Sequence, residues 1–210
     1  MTIIQERWEV IQKLPLKYGG HKPDSQFCVM EAAAYVAGEK WSDHPACVPP
    51  TIAALLRRWN DRLPTDADRD RLLKPFIPKI IGLPSDKNTE LRRAVMCGDW
   101  ALRVLIPEYL RYAKRDKLAD ALAARVESAT QAELREAVRF VQGKLGASAS
   151  DIDIDIDIDI AIIDIAPLRR CRPGPRRRRS FDIDIAIAKR LEESQSALVE
   201  RMIECRIEDE

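Results

Sequence analysis

Apolar positions recur at spacings of three and four from the N-terminus to about residue 145, which is the rhythm of helices rather than strands. Ile3, Ile4, Trp8, Ile11 and Leu14, with Arg7 among them, predict a first amphipathic helix stopped by Pro15. Tyr18-Gly19-Gly20 reads as a loop. Asp24 or Ser25 is the expected cap of a second helix carrying Phe27, Met30, Ala33, Ala34 and Ala37, with Gly38 as its terminator. Glu39–Pro49 is a loop, and Pro50-Thr51 opens a third helix with Ile52, Leu55, Leu56 and Trp59 on its apolar side.

Pro64 ends that helix and Thr65 or Asp66 caps the next, whose face is Leu72, Leu73, Phe76, Ile77, Ile80 and Ile81. Pro75 and Pro78 shorten or kink it. Gly82-Leu83-Pro84-Ser85 is a turn. A long helical stretch follows from Asn88 to Val126, with interruptions expected near Pro107 and Lys117. Thr130-x-x-Glu133 is a capping box for a last helix to Leu145. No alternating β-branched run occurs before residue 150. The fold class is mainly α: an irregular bundle of about six or seven helices over residues 1–146.

The pattern then changes. Asp151 through Ile160 alternates Asp with Ile, AIIDIAP follows, then the basic run 168–179, then FDIDIAIA over 181–188. Period two is a strand signal, with Ile on one face and Asp on the other. Two such arms around Pro173-Gly174-Pro175 predict a β-hairpin, followed by a short helix over 189–210 that holds Leu191, Leu198, Met202 and Ile203. The same low complexity also fits disorder, or a repeat expanded without selection. Residues 147–188 are therefore set apart as a low-complexity appendage.

Composition narrows the partners. Lys plus Arg number 35 against 34 Asp plus Glu, so no global field points to nucleic acid. The local exception is Arg169, Arg170, Arg172, Arg176, Arg177, Arg178 and Arg179, a group able to neutralise phosphates. Acidic repeats flank it and no interleaved aromatics offer base stacking, so neutralisation within the chain is the preferred use. No apolar run is long enough for a bilayer span, and the N-terminus lacks a signal-peptide core, so a cytoplasmic location is expected. Irregularly spaced cysteines fit reduced thiols.

Candidate chemistry concentrates in residues 21–50, which hold both histidines and two cysteines. His21, Cys28, His44 and Cys47 form the donor set of a tetrahedral zinc site, although their order matches no standard finger. The competing reading is a cysteine-dependent hydrolase: Cys28 near a helix N-terminus as nucleophile, His44 or His21 as base, and Glu31 one turn along. Trp41 sits in the intervening loop. Trp8, Trp59 and Trp100 are expected in the core. Asp66, Asp68 and Asp70 lack the glycine and distal Glu of a calcium loop and are expected to serve a helix N-terminus.

The segments His21…Cys28-Val-Met-Glu-Ala-Ala-Ala-Tyr-Val-Ala-Gly-Glu39, Ser42-Asp-His-Pro-Ala-Cys47, Pro50-Thr-Ile52 and Leu73-Lys-Pro-Phe-Ile-Pro78 resemble a family of uncharacterised small helical proteins from actinobacteria and their phages. The resemblance spans roughly residues 14–125 and extends to an alternating low-complexity C-terminal region; the Arg cluster is outside it. It implies a small helical protein and carries no activity with it. Taken together, the sequence predicts a cytoplasmic accessory or interaction protein, with a protein partner and a structural metal site. The cysteine hydrolase and a nucleic-acid module acting through the Arg cluster are the alternatives.

Overall fold

The computed structural model describes residues 2–23, 26–145 and 181–205. They are mainly α-helical, as the periodicity predicts, and no strand occurs among them. They fall into two compact units: one drawn from residues 1–90 and 179–210, the other from residues 91–178.

The first unit begins with α1 (Gln5–Lys13), which buries Ile11. The chain then turns at Leu14, and Leu16 forms an isolated parallel bridge with Phe27. Helix α2 (Val29–Ala37) is almost wholly buried, and Gly38 ends it in the left-handed conformation at φ 75°. A Cβ there would lie 2.8 Å from the Ile4 side chain, so glycine is required both for the backbone and for the close approach of α1. Helix α3 (Pro50–Arg62) starts with Pro at its first position and buries Ile52, Leu56 and Trp59. Thr65 caps α4 (Asp66–Leu73) by accepting the Asp68 N–H. Pro75 and Pro78 confine the continuation to a 3₁₀ turn (Lys74–Phe76) and the one-turn α5 (Ile77–Ile80).

Two polar residues near the end of α3 stitch the 16–20 loop to the core. Asn60 is fully buried; its amide donates to the Lys17 carbonyl at 2.9 Å and its oxygen accepts the Val29 N–H at 3.3 Å. Asp61 accepts the Gly19 N–H at 3.0 Å. The acids of α4 do related work: Asp70 accepts the Leu16 N–H at 2.8 Å, and Asp66 pairs with Lys17 at 2.6 Å. As expected, these carboxylates open and flank a helix. Lys17 beside Asp66, and Thr65 and Arg71 beside Asp68, hold both carboxyls below the usual range.

The C-terminal helix α10 (Phe181–Glu204) also belongs to this unit and packs against α3. It corrects the hairpin expectation. FDIDIAIA is its first part, not a strand, and the helix begins well before residue 189. Alternation was a misleading guide because Asp is a poor strand former and a row of like charges on one sheet face is unfavourable. The apolar spacing of Ile187, Leu191, Leu198 and Met202 suits a helix seated on a partner surface. The other expected arm, residues 151–165, and the Arg cluster lie outside the described residues.

The second unit holds the rest of α6 (Lys87–Trp100), which crosses the division at Glu90, then α7 (Ile106–Tyr112), α8 (Asp116–Ala123) and α9 (Gln131–Leu145). Between α6 and α7 the helix widens into a π turn over Ala101–Leu105, where Ile106 N–H reaches back to the Ala101 carbonyl. Pro107 accounts for it, since proline lacks an N–H and crowds the preceding turn. The second interruption falls at Ala113–Arg115, slightly before Lys117, where Lys114 takes a φ of 60°. Leu102, Ile106, Leu110, Leu122, Leu134 and Val141 form its core. The Thr130–Glu133 capping box is present in both directions, at 3.1 and 3.3 Å.

Candidate functional site

The 21–50 segment is organised around the carboxylate of Glu31, which is 2% exposed. Its Oε1 accepts the backbone N–H of His21 at 2.6 Å, and its Oε2 accepts the backbone N–H of Cys28 at 2.8 Å. Oε2 also lies 2.9 Å from His21 Nδ1. One buried side chain thus fixes both ends of the 21–28 loop and the entrance to α2. Trp41 lies beside this arrangement: its indole N–H donates to the His21 carbonyl at 3.0 Å, and its ring packs tilted against Phe27 with centroids 5.0 Å apart.

Cys28, rather than Asp24 or Ser25, is the cap of α2. Its sulfur accepts the Glu31 N–H at 3.5 Å while Glu31 returns to the Cys28 N–H, a capping box with thiol in place of hydroxyl. Cysteine is outside the usual set of capping residues, which is why composition missed it. The spacing Cys28-x-x-Glu31 was the signal that could have found it.

His44 and Cys47 are placed differently. The His44 side chain is 67% exposed and its Nδ1 lies 2.7 Å from Asp43 Oδ1. Cys47 is buried, with its thiol directed to the Ala33 carbonyl at 3.9 Å. The four predicted zinc donors therefore have separate employments: His21 on Glu31, Cys28 on the α2 N-terminus, His44 on Asp43 and Cys47 on α2. Among the described residues no group of three or more His, Cys, Asp or Glu is placed to hold a metal ion. Asn60, near the end of α3, accepts the Val29 N–H at the start of α2, so the end of the third helix lies beside the start of the second.

No protein-family model, curated protein or solved structure matches this chain. The chemistry of the site must be read from its own groups.

For a cysteine nucleophile the thiolate must be favoured. Burial does the reverse, pushing the Cys28 thiol up to about 12 from an ordinary 9.0, with the Glu31 carboxylate adding to the rise. The helix N-terminal N–H groups oppose this and lose to desolvation. Burial and the neighbouring Glu39 carboxylate likewise push Cys47 up to about 11. Neither thiol has a histidine as its hydrogen-bond partner. The arrangement holds a loop and a helix start in one geometry, and burial disfavours the thiolate at Cys28.

The 39–47 loop is fixed at several points yet presents polar groups outward. Glu39 accepts the Ala46 N–H at 2.8 Å, Ser42 Oγ accepts the His44 N–H at 2.9 Å, and Arg57 donates to the Asp43 carbonyl at 3.1 Å. At its far end the Cys47 carbonyl accepts the Gly82 N–H at 2.8 Å. Of the tryptophans expected in the core, Trp59 is buried and lies tilted against Phe76 with centroids 6.2 Å apart, whereas Trp8 and Trp100 are half-buried.

Proposed function

We propose that this chain is a non-enzymatic, cytoplasmic interaction protein whose first unit presents the 39–47 loop to a protein partner. One observation carries the reading. The chemically reactive side chains at His21, Cys28 and Cys47 are turned to structural use, while His44 remains exposed beside a half-buried Asp43 on a loop whose backbone is held from both sides. A rigid, polar, partly aromatic loop lowers the ordering entropy of association. Free thiols at Cys28 and Cys47 suit a reducing compartment. No helix among the described residues is long and apolar enough to cross a membrane.

Site-specific photo-crosslinking tests the reading. A crosslinker replacing His44 should give a discrete adduct in the native cell, and one replacing exposed Lys13 on α1 should not. Alkylation supplies the chemical arm: Cys28 should react with iodoacetamide no faster than the protein unfolds. Absence of an adduct specific to position 44, or rapid selective labelling of Cys28, would overturn it.

A further inference from the structure

The helix α10 reaches the first unit from the far end of the chain, after the whole of residues 91–178. Its buried positions are Ile187, Leu191, Gln195, Leu198, Val199 and Met202. Apart from Val199 they advance by steps of four, four, three and four, the spacing of a seam that inserts side chains between those of a facing helix. Gln195, 6% exposed, places one polar group in the middle of that apolar seam, a device that fixes register at some expense of affinity. Charge adds orientation. Glu192 pairs with Arg71 of α4 at 2.9 Å, and Glu200 pairs with Lys79 of α5 at 2.6 Å.

These are the features of a bound ligand helix: an apolar seam, a polar register mark and two charge pairs at the rim. None depends on the covalent link between α10 and the rest of the chain. We propose that α10 is an exchangeable ligand of the first unit, and that the surface it covers on α3, α4 and α5 accepts α10 from a second copy of the chain. A second copy is the occupant the surface fits, because among the described helices α10 alone carries the seam, the buried Gln195 and both acidic partners in one register. Exchange of an identical element is a low-barrier route to dimers. Tethering gives the chain's own helix a high effective concentration, so exchange grows with protein concentration or when the tether is cut. This inference concerns a surface other than the 39–47 loop and does not rest on the reading proposed for that loop.

The test uses the full chain with a specific protease site inserted after Ser150. After cleavage, a fluorescent peptide spanning residues 181–205 should be taken up saturably, and excess unlabelled peptide should displace it. The same peptide carrying Leu198→Asp should not bind. The uncut chain should take up the labelled peptide about tenfold more weakly, because its own helix competes from the tether. A second measurement pairs two uncut variants, Arg71→Glu with Lys79→Glu in one and Glu192→Lys with Glu200→Lys in the other. Mixed, they should form more heterodimer than either forms homodimer alone, since only exchange restores opposite charges at every rim contact. Failure of the cleaved protein to take up the peptide, or collapse of the large fragment when α10 is removed, would make α10 a fixed part of the core. Equal binding of an apolar helix with reversed rim charges would overturn the assignment to a second copy.

Discussion

Glu31 grips His21 at two atoms, accepting its backbone N–H at 2.6 Å and meeting its ring Nδ1 at 2.9 Å, from a carboxylate that is almost completely buried. Such a group is stabilising only while its donors remain in place, because a buried carboxylate stripped of partners carries the full desolvation penalty. Glu31→Gln sets an amide N–H against a backbone N–H and should lower stability by about 2 kcal/mol. His21→Ala leaves the two backbone donors on Glu31 and should lose about 1 kcal/mol. Urea unfolding followed by tryptophan fluorescence measures both. Equal midpoints for Glu31→Gln and the parent chain would mean the brace contributes nothing.

The two buried thiols make stability depend on alkaline pH. Burial raises Cys28 to about 12 and Cys47 to about 11, whereas the ordinary value is 9.0. Above the ordinary value the unfolded chain releases these protons and the folded chain retains them, so rising pH favours unfolding. Their contribution is full below pH 9.0 and fades as pH climbs toward the folded values. The difference in denaturation midpoint between about pH 8 and about pH 10.5 should therefore be smaller in a Cys28→Ala, Cys47→Ala variant than in the parent. Identical slopes would show that these thiols do not carry the effect.

Much of the helical framework was legible because its punctuation is local. Pro50, Thr65, Gly38 and the Thr130–Glu133 pair act on backbone groups within a few residues, so the sequence contains both partners. The site was less legible because its partners are distant or unusual. Asn60 serves Val29 and Lys17 across the unit, and nothing in the run around Asn60 announces it. Cys28 caps a helix with sulfur, a role disguised as candidate chemistry by the residue type. Clustering of His21, Cys28, His44 and Cys47 in sequence suggested one metal centre; among the described residues no three such side chains are grouped for a metal ion, and His21 and Cys28 meet Glu31 while His44 meets Asp43. FDIDIAIA shows the opposite failure: a strict short-range pattern yields to the docking of the helix that follows it.

Arg69 provides a test of buried hydrogen bonding away from the site. It is 4% exposed, donates from Nε to the Asn60 carbonyl at 2.8 Å and from Nη2 to the Leu63 carbonyl, and pairs with Asp66 at 2.9 Å. Its planar fork thereby satisfies carbonyls left open at the end of α3. Lysine brings the charge but not the divided geometry, so Arg69→Lys should destabilise by about 3 kcal/mol. Chemical denaturation would decide; a loss under a quarter of that size would show that a point charge suffices.

Gly98 tests packing in the second unit. It lies inside α6, where Ala would ordinarily gain helix stability by about 1 kcal/mol. Here a Cβ would fall 2.6 Å from Leu134 Cδ2 and 3.2 Å from its Cδ1. Leu134 is 1% exposed within the core formed with Leu102, Ile106 and Val141, so it has little room to move away. Overpacking should outweigh propensity, making Gly98→Ala destabilising by about 1 kcal/mol overall. Leu134→Ala alone should lose about 3 kcal/mol by emptying the space that Leu134 fills. In the double variant the new methyl enters that space without a clash, so its helix propensity is realised. The double variant should therefore be more stable than the sum of the single effects by about 1 kcal/mol or more. Thermal unfolding of the four proteins gives this coupling directly. Simple additivity would mean that α6 and α9 shift apart to admit the methyl, and that the close contact at Gly98 is not what sets their spacing.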